Sequence, residues 1–164
     1  MVWIVRCEIG FVEQMNDVND ALRAFLAPLA SVLDACDPHW AVFGSAALSL
    51  CGFDVEVHDV DILTTENGLA AFRRRFAGCC TCGEVPASTL FRSSMSRFSM
   101  DGRQLEVCAG LEVCRQGRWL PVEVQEVTVT DGIRHCSREE CRRLLQLFGR
   151  AKDLRRLDLL FGTD

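Results

Sequence analysis

From Asp17 onward, apolar side chains recur at Val18, Leu22, Phe25, Leu29 and Val32. Spacings of three and four residues place them on one face of a helix. Pro28 lies inside the pattern and predicts a kink or a split into two shorter helices, because proline lacks an N–H and crowds the preceding turn. The first dozen residues fit either a strand or a loose arm. Trp40 to Gly44 is a short apolar run ending in glycine, which predicts a buried strand and a turn, and the Ala/Leu-rich Ser45 to Leu50 predicts a helix directly behind it.

Alternation resumes at Asp59 to Thr64, a strand, and gives way to a helix near Asn67 to Ala77 with Leu69, Phe72 and Phe76 inward. Leu90 to Met100 and Arg103 to Cys108 read as strands joined by a turn at Asp101 and Gly102, and Val113 to Val129 as one or two more, broken at Gln116 and Gly117. The C-terminal part is helical. Ser137 followed by Glu140 is a capping box, Leu144, Leu145 and Phe148 continue that helix, and Gly149 ends it. A last helix, Lys152 to Phe161, turns Leu154, Leu157 and Phe161 inward. This order predicts an α/β fold, a mixed β-sheet packed by helices with a helical C-terminal segment.

A chain of 164 residues without repeats or a Pro/Gly/Ser linker fits a single domain over 1–164, with a core at about 40–130 and C-terminal helices over 137–161. No apolar run is long enough to span a bilayer, and the opening residues lack the features of an export signal. A cytoplasmic location follows as the expectation. The ten cysteines are scattered, and most read as small buried hydrophobes, Cys51 and Cys108 among them. Cys79, Cys80 and Cys82 cluster, but no second pair completes a zinc set. A net charge of −5 argues against general nucleic-acid binding. Lys152 is the only lysine among the 18 basic residues.

The chemistry concentrates at two places. Val42-Phe43-Gly44-Ser45 is followed, after 13 residues, by Asp59-Val60-Asp61-Ile62. In a strand Asp59 and Asp61 share one face while Val60 and Ile62 enter the other. Two neighbouring carboxylates repel unless a cation lies between them, and Mg²⁺ prefers such oxygens. The Gly44–Ser45 turn offers unpaired N–H groups at a helix start, where phosphate is favoured. Glu106, between Leu105 and Val107, is a third acid on a strand; beside the aspartates it would complete a cluster able to hold two metals.

These residues resemble the signature of the nucleotidyltransferase-fold superfamily, a hydrophobic–Gly–Ser turn followed at this distance by Asp–hydrophobic–Asp–hydrophobic and later a third acid. The tail, Gly149-Arg150-Ala151-Lys152-Asp153-Leu154 with Asp158-Leu159-Leu160, is similar to that of small bacterial nucleotidyltransferase-like proteins. The resemblance runs from about Trp40 to Leu160. It implies transfer of a nucleoside monophosphate from an NTP, ATP among them, to an acceptor that is a small molecule, protein or RNA, with release of pyrophosphate. Asp59, Asp61 and Glu106 would bind Mg²⁺ and carry catalysis, and Gly44, Ser45 and Lys152 would bind the nucleotide. The same resemblance leaves homodimer formation open.

One departure cuts against turnover. Relatives often carry Arg or Thr just before the first acid, where this chain has Glu56-Val57-His58. An acid there weakens attraction for a triphosphate. Arg92 and Arg97 could add positive charge, or simply serve surface solubility. The alternative reading is therefore a catalytically inactive member acting as a binding or regulatory module.

Overall fold

The structure, a computed structural model, describes residues 6–81 and 88–162, and side chains from residue 19 onward. Helix α1 (Arg6–Cys36) leads into strand β1 (Ala41–Phe43), helix α2 (Gly44–Leu50), strand β2 (Asp59–Thr64) and helix α3 (Glu66–Arg75). A 3₁₀ turn at Ala77–Cys79 precedes β3 (Phe91–Met100), β4 (Arg103–Arg115), β5 (Arg118–Pro121), β6 (Val127–Thr130) and β7 (Ile133–Cys136). Helices α4 (Arg138–Phe148) and α5 (Ala151–Phe161) close the order.

The strands form one mixed sheet in the order β3-β4-β2-β1-β7-β6, with β5 paired to the far part of β4. Strand β2 runs parallel to β4 and antiparallel to β1, and β1 runs parallel to β7. Register assigns each side chain to a face, because neighbouring strands place paired residues on the same side. Val42 pairs with Ile62, Ile62 with Val107, and Val60 with Leu105. All of them are buried, as is Phe98 opposite Leu105. On this face α3 packs through Leu69 and Phe72, whose ring meets Phe98 edge-on with centroids 4.9 Å apart. The opposite face carries Phe43, Asp61 and Glu106, which the register lines up across β1, β2 and β4.

Several expectations need correction. The opening is neither strand nor arm where it is described: α1 begins at Arg6 and continues through Pro28 as one helix. Pro28 is exposed, while Leu22, Leu26, Leu29 and Leu33 line the buried side, so packing holds the helix across a residue that costs it one hydrogen bond. Phe25 and Val32 lie only part-buried beside that line, and the Val18 side chain falls outside the described residues. Strand β4 extends seven residues beyond Cys108, to Arg115, and β7 was not anticipated. The hairpin turns at Asp101–Gly102 and Gln116–Gly117 do occur, all four residues having positive φ as tight primed turns require.

At the start of α4, Ser137 Oγ accepts from the Glu140 N–H at 3.1 Å, but Glu140 does not reach back. Its carboxylate accepts from Gln125 N–H at 2.9 Å and from the Arg143 guanidinium, which ties α4 to the segment before β6. Gly149 ends α4 in the left-handed region as expected. In α5, Leu157 and Phe161 are part-buried but Leu154 is 49% exposed, which removes it from the inward face. The residue that anchors α5 is Asp153. It is fully buried and accepts from Arg150 Nε at 2.6 Å, Arg150 Nη2 at 2.9 Å and the Arg150 backbone N–H at 3.1 Å. Replacing Asp153 with alanine removes all three bonds, and we expect a loss of about 2 kcal/mol in denaturant unfolding, below the full cost of a broken buried pair because Arg150 still reaches water. Among the described residues no helix is long and apolar enough to cross a membrane.

Candidate active site

Asp59 and Asp61 sit at the start of β2, on its half-buried face, while Val60 and Ile62 enter the core. The parallel pairing of β2 with β4 places Asp61 directly opposite Glu106. The three carboxylates each offer an oxygen lying within 4.8 Å of the others, which is ligand spacing for a cation. They form the one such His/Cys/Asp/Glu cluster among the described residues. Strand β1 delivers the fourth component, since Phe43 pairs with Asp61 and Gly44 follows at once.

Gly44 has φ of +69°, and a Cβ there would stand 2.7 Å from Asp61 Oδ2. Both facts demand glycine: the backbone conformation is costly for other residues, and the carboxylate occupies the space a side chain would need. No side chain caps α2 at its start, which leaves its first N–H groups without a side-chain acceptor there. Ser45 is buried beside them.

Burial is the main reason that Asp61 resists ionisation, with the charges of Asp59 and Glu106 adding to it; Arg150 and Lys152 act in the opposite sense, and the pKa stands at about 7. Burial, with the charges of Asp61 and Glu106, pushes the neighbouring Cys108 thiol up to about 12. This is a site built to be anionic but incompletely neutralised by its own residues.

A cavity of about 490 Å³ opens beside the acids. Gly44, Asp61 and Glu106 line one part and Phe91, Met95, Leu111 and Phe148 another. Arg150 lies over the rings of Phe91 and Phe148, at 5.1 and 5.6 Å from their centroids, and those two rings meet edge-on at 5.1 Å. The volume falls in the range of small-molecule sites.

The expected site residues thus divide. Gly44, Asp59, Asp61 and Glu106 come together. Lys152 is exposed on the first turn of α5, and its charge is felt at Asp61. It does not pair with Asp153, which belongs to Arg150. His58 pairs with Glu56 at 3.2 Å, and both are largely exposed. Arg97 is no mere surface charge, because its Nε donates to Glu106 Oε1 at 2.6 Å from the facing strand. Arg92 pairs with Glu112 and stacks over Trp119 at 4.5 Å. Cys79 and Cys80 are part-buried, and Cys82 lies outside the described residues.

Two functional candidates escaped the sequence. Arg150 follows the helix-ending Gly149, a position that turns the chain back toward the sheet and could have flagged it. The aromatic wall of Phe91 and Phe148 gave no signal, since the two residues are 57 positions apart and meet only through packing.

This architecture, with its acid triad fitted to a metal, is a nucleotidyltransferase-like fold. A crystal structure from Thermotoga maritima, described as a "putative nucleotidyltransferase", superposes with a TM-score of 0.63 at 26% sequence identity, covering 85% of this chain and 93% of that one. No protein-family model and no curated protein matches the sequence.

Proposed function

We propose that the protein is a Mg²⁺-dependent nucleotidyltransferase that moves a nucleoside monophosphate from an NTP to an acceptor hydroxyl or phosphate and releases pyrophosphate. The observation that carries this reading is the convergence of Asp59, Asp61 and Glu106 in front of Gly44, at a cavity large enough for a substrate. The residues suit the ion: three hard oxygen donors stand at ligand spacing, and the incomplete ionisation of Asp61 is what a divalent cation would relieve. Glu106 keeps a second carboxylate oxygen beside the one Arg97 engages. When bound, Mg²⁺ would neutralise developing phosphate charge and make an attacking hydroxyl more acidic, with two ions serving the attacking and leaving oxygens.

The protein's own groups then have distinct tasks. Asp59, Asp61 and Glu106 would hold the metal, and Glu106 would take the acceptor's proton. The uncapped N–H groups at Gly44 and Ser45 face the phosphates, and Lys152 reaches them from α5. Arg97 steers Glu106 from across the strand pair.

A second reading is favoured by one observation. The cation expected ahead of Asp59 is replaced by an exposed His58–Glu56 pair, which suits a fold retained for nucleotide binding without turnover. Thermal stabilisation by each NTP with and without Mg²⁺, followed by pyrophosphate release, separates the two. Under the enzyme reading an Mg²⁺-dependent rise in melting temperature accompanies pyrophosphate release, because a ligand of the folded state raises stability. A shift without pyrophosphate supports the binding module. No Mg²⁺-dependent shift with any NTP overturns both.

A further inference from the structure

The sheet face that carries the acids continues past them, and there a second cavity opens that the proposed reaction leaves unassigned. Its volume is about 860 Å³, and among the described residues Leu111 alone lines both this cavity and the one at the triad. A bulge puts Leu111 there. Between the pairs Ser94–Ala109 and Arg92–Glu112, β4 takes three steps where β3 takes two, with Gly110 at φ +59°. The extra residue breaks the alternation, so Leu111 joins Cys108 on the acid face and stands between the two cavities. Another wall is the segment between β5 and β6. Val122 N–H donates to the Leu111 carbonyl at 2.8 Å, and Arg143 Nη2, on α4, donates to the Glu123 carbonyl at 2.7 Å. Tied to a strand and a helix, Val122 and Val124 offer a preformed apolar surface.

Into this cavity the sheet sends a cation without a counter-charge. One step from the Val42–His135 pair, Arg134 lies beside Ala41, which pairs with Leu63, so its stem rises from an apolar row. Arg134 is part-buried, its Nε is shut off from solvent without a hydrogen-bond partner, and no carboxylate among the described residues pairs with it. Of the acids on the lining, Glu112 belongs to Arg92 and Glu123 is exposed. A guanidinium drawn out of water is costly when its donors stay unmade, and its planar fork matches the two oxygens of a carboxylate or phosphate. The placement of Arg134 relative to the acids is equally specific. Strand spacing of about 4.8 Å and a two-residue rise of about 6.7 Å put Arg134 Cα roughly 12 Å from Asp61 Cα on the same face. The acids lie between Arg134 and the Gly44 turn, because Ala41 precedes Phe43 on β1 and Gly44 follows it. A triphosphate at Gly44 and an anion at Arg134 would therefore flank the triad from opposite sides, as donor and acceptor must for an in-line displacement.

We propose that the second cavity holds the acceptor, and that the acceptor is a small amphipathic molecule whose carboxylate or phosphate group is bound by Arg134. The inference rests on the transferase reading for its chemistry, and on the cavity and Arg134 for its site. The apolar body lies against Leu63, Val122 and Val124, the anionic end meets the guanidinium, and a hydroxyl passes Leu111 toward the triad. That hydroxyl oxygen bonds the α-phosphorus of the NTP, and its proton passes to Glu106. The P–O bond between the α-phosphorus and the bridging oxygen breaks, and pyrophosphate leaves with the electron pair. Arg134 touches none of the reacting atoms; it sets which acceptor is held and how it is aimed.

The test titrates the full chain, in EDTA and without nucleotide, with phenyl phosphate, 3-phenylpropionate and neutral benzyl alcohol. One of the anions should bind roughly tenfold more tightly than the alcohol, and which one does so names the acceptor's anionic group. Methyl NMR signals of Leu63, Val122 and Val124 should move, and those of Ala46 and Ala47 behind the Gly44 turn should not. Arg134→Met keeps the aliphatic stem and removes the charge. It should weaken the anion roughly tenfold, leave the alcohol unchanged and melt no lower than the parent, since no partner is lost. The titration of the unmodified protein decides the question even if the variant fails to fold. Anions that bind no better than the alcohol, methyl shifts confined to the Gly44 side, or unchanged anion binding by Arg134→Met would overturn the proposal. Anion binding at Arg134 without any Mg²⁺-dependent NTP shift would keep the ligand site but overturn its acceptor role together with the transferase reading. An NTP shift without anion binding would overturn this proposal alone.

Discussion

In the metal-free protein at pH 8, Asp61→Asn is expected to raise the melting temperature by about 4–8 °C while abolishing stabilisation by Mg²⁺. The sign follows from linkage. Asp61 ionises near 3.8 in an unfolded chain and at about 7 in the folded one. Between those values the folded state holds a proton that the unfolded state has released, so the contribution of Asp61 to stability is greatest below pH 4, falls as pH rises to about 7 and is flat beyond. The full span corresponds to about 4 kcal/mol, and relaxation around a half-exposed face leaves about 2 kcal/mol of it to recover by removing the charge. Under the proposed function Mg²⁺ would run the other way: it would bind the ionised cluster, so its stabilising shift should grow from pH 5.5 to pH 8. Melting curves of both proteins across this range, with EDTA and with Mg²⁺, check every limb. A variant less stable than the parent, or one still responsive to Mg²⁺, would remove Asp61 from the metal site. Such a trade of stability for an anionic pocket is what functional sites commonly show.

Gly44→Ala should have the second large effect, about 3 kcal/mol of stability together with loss of the Mg²⁺ response. Alanine at φ +69° costs about 1–2 kcal/mol by conformation alone. The rest comes from contact, because a Cβ 2.7 Å from Asp61 Oδ2 forces the carboxylate out of its place. Gly52→Ala provides the control. Gly52 has φ of +87° and open space around its Cα, so that substitution pays only the conformational share and leaves the Mg²⁺ response intact. Denaturant unfolding of the two variants isolates the contact, and equal losses with equal Mg²⁺ responses would show that Asp61 tolerates a neighbour there.

Much of the site was legible because it is local. Strand periodicity puts Asp59 and Asp61 on one face whatever the rest of the chain does, and a glycine between a buried strand and a helix signals a special turn wherever it occurs. Helix α3, the Asp101–Gly102 turn and the Gly149 stop were readable for the same reason, each depending on residues within a few positions. The misplaced face of α1 marks the boundary of this reasoning. Phe25 and Val32 fit a helical face as well as Leu26 and Leu33 do, and contact with the rest of the fold selected among them.

The sequence by itself determined the order of most elements, the inward and outward faces of β2, and the pairing of a Gly-Ser turn with two acids. Tertiary structure alone decided that Glu106 stands opposite Asp61, that Arg97 holds it there, and that Arg150 rather than Lys152 engages Asp153. It also left Cys51, which reads as a small buried hydrophobe, part-exposed with its Sγ 3.4 Å from the Cys136 carbonyl oxygen. The physical reason is range. Backbone geometry propagates over a few residues, whereas the field at a carboxylate or a thiol is set by whatever strand register and helix packing bring within a few ångströms, from anywhere along the chain.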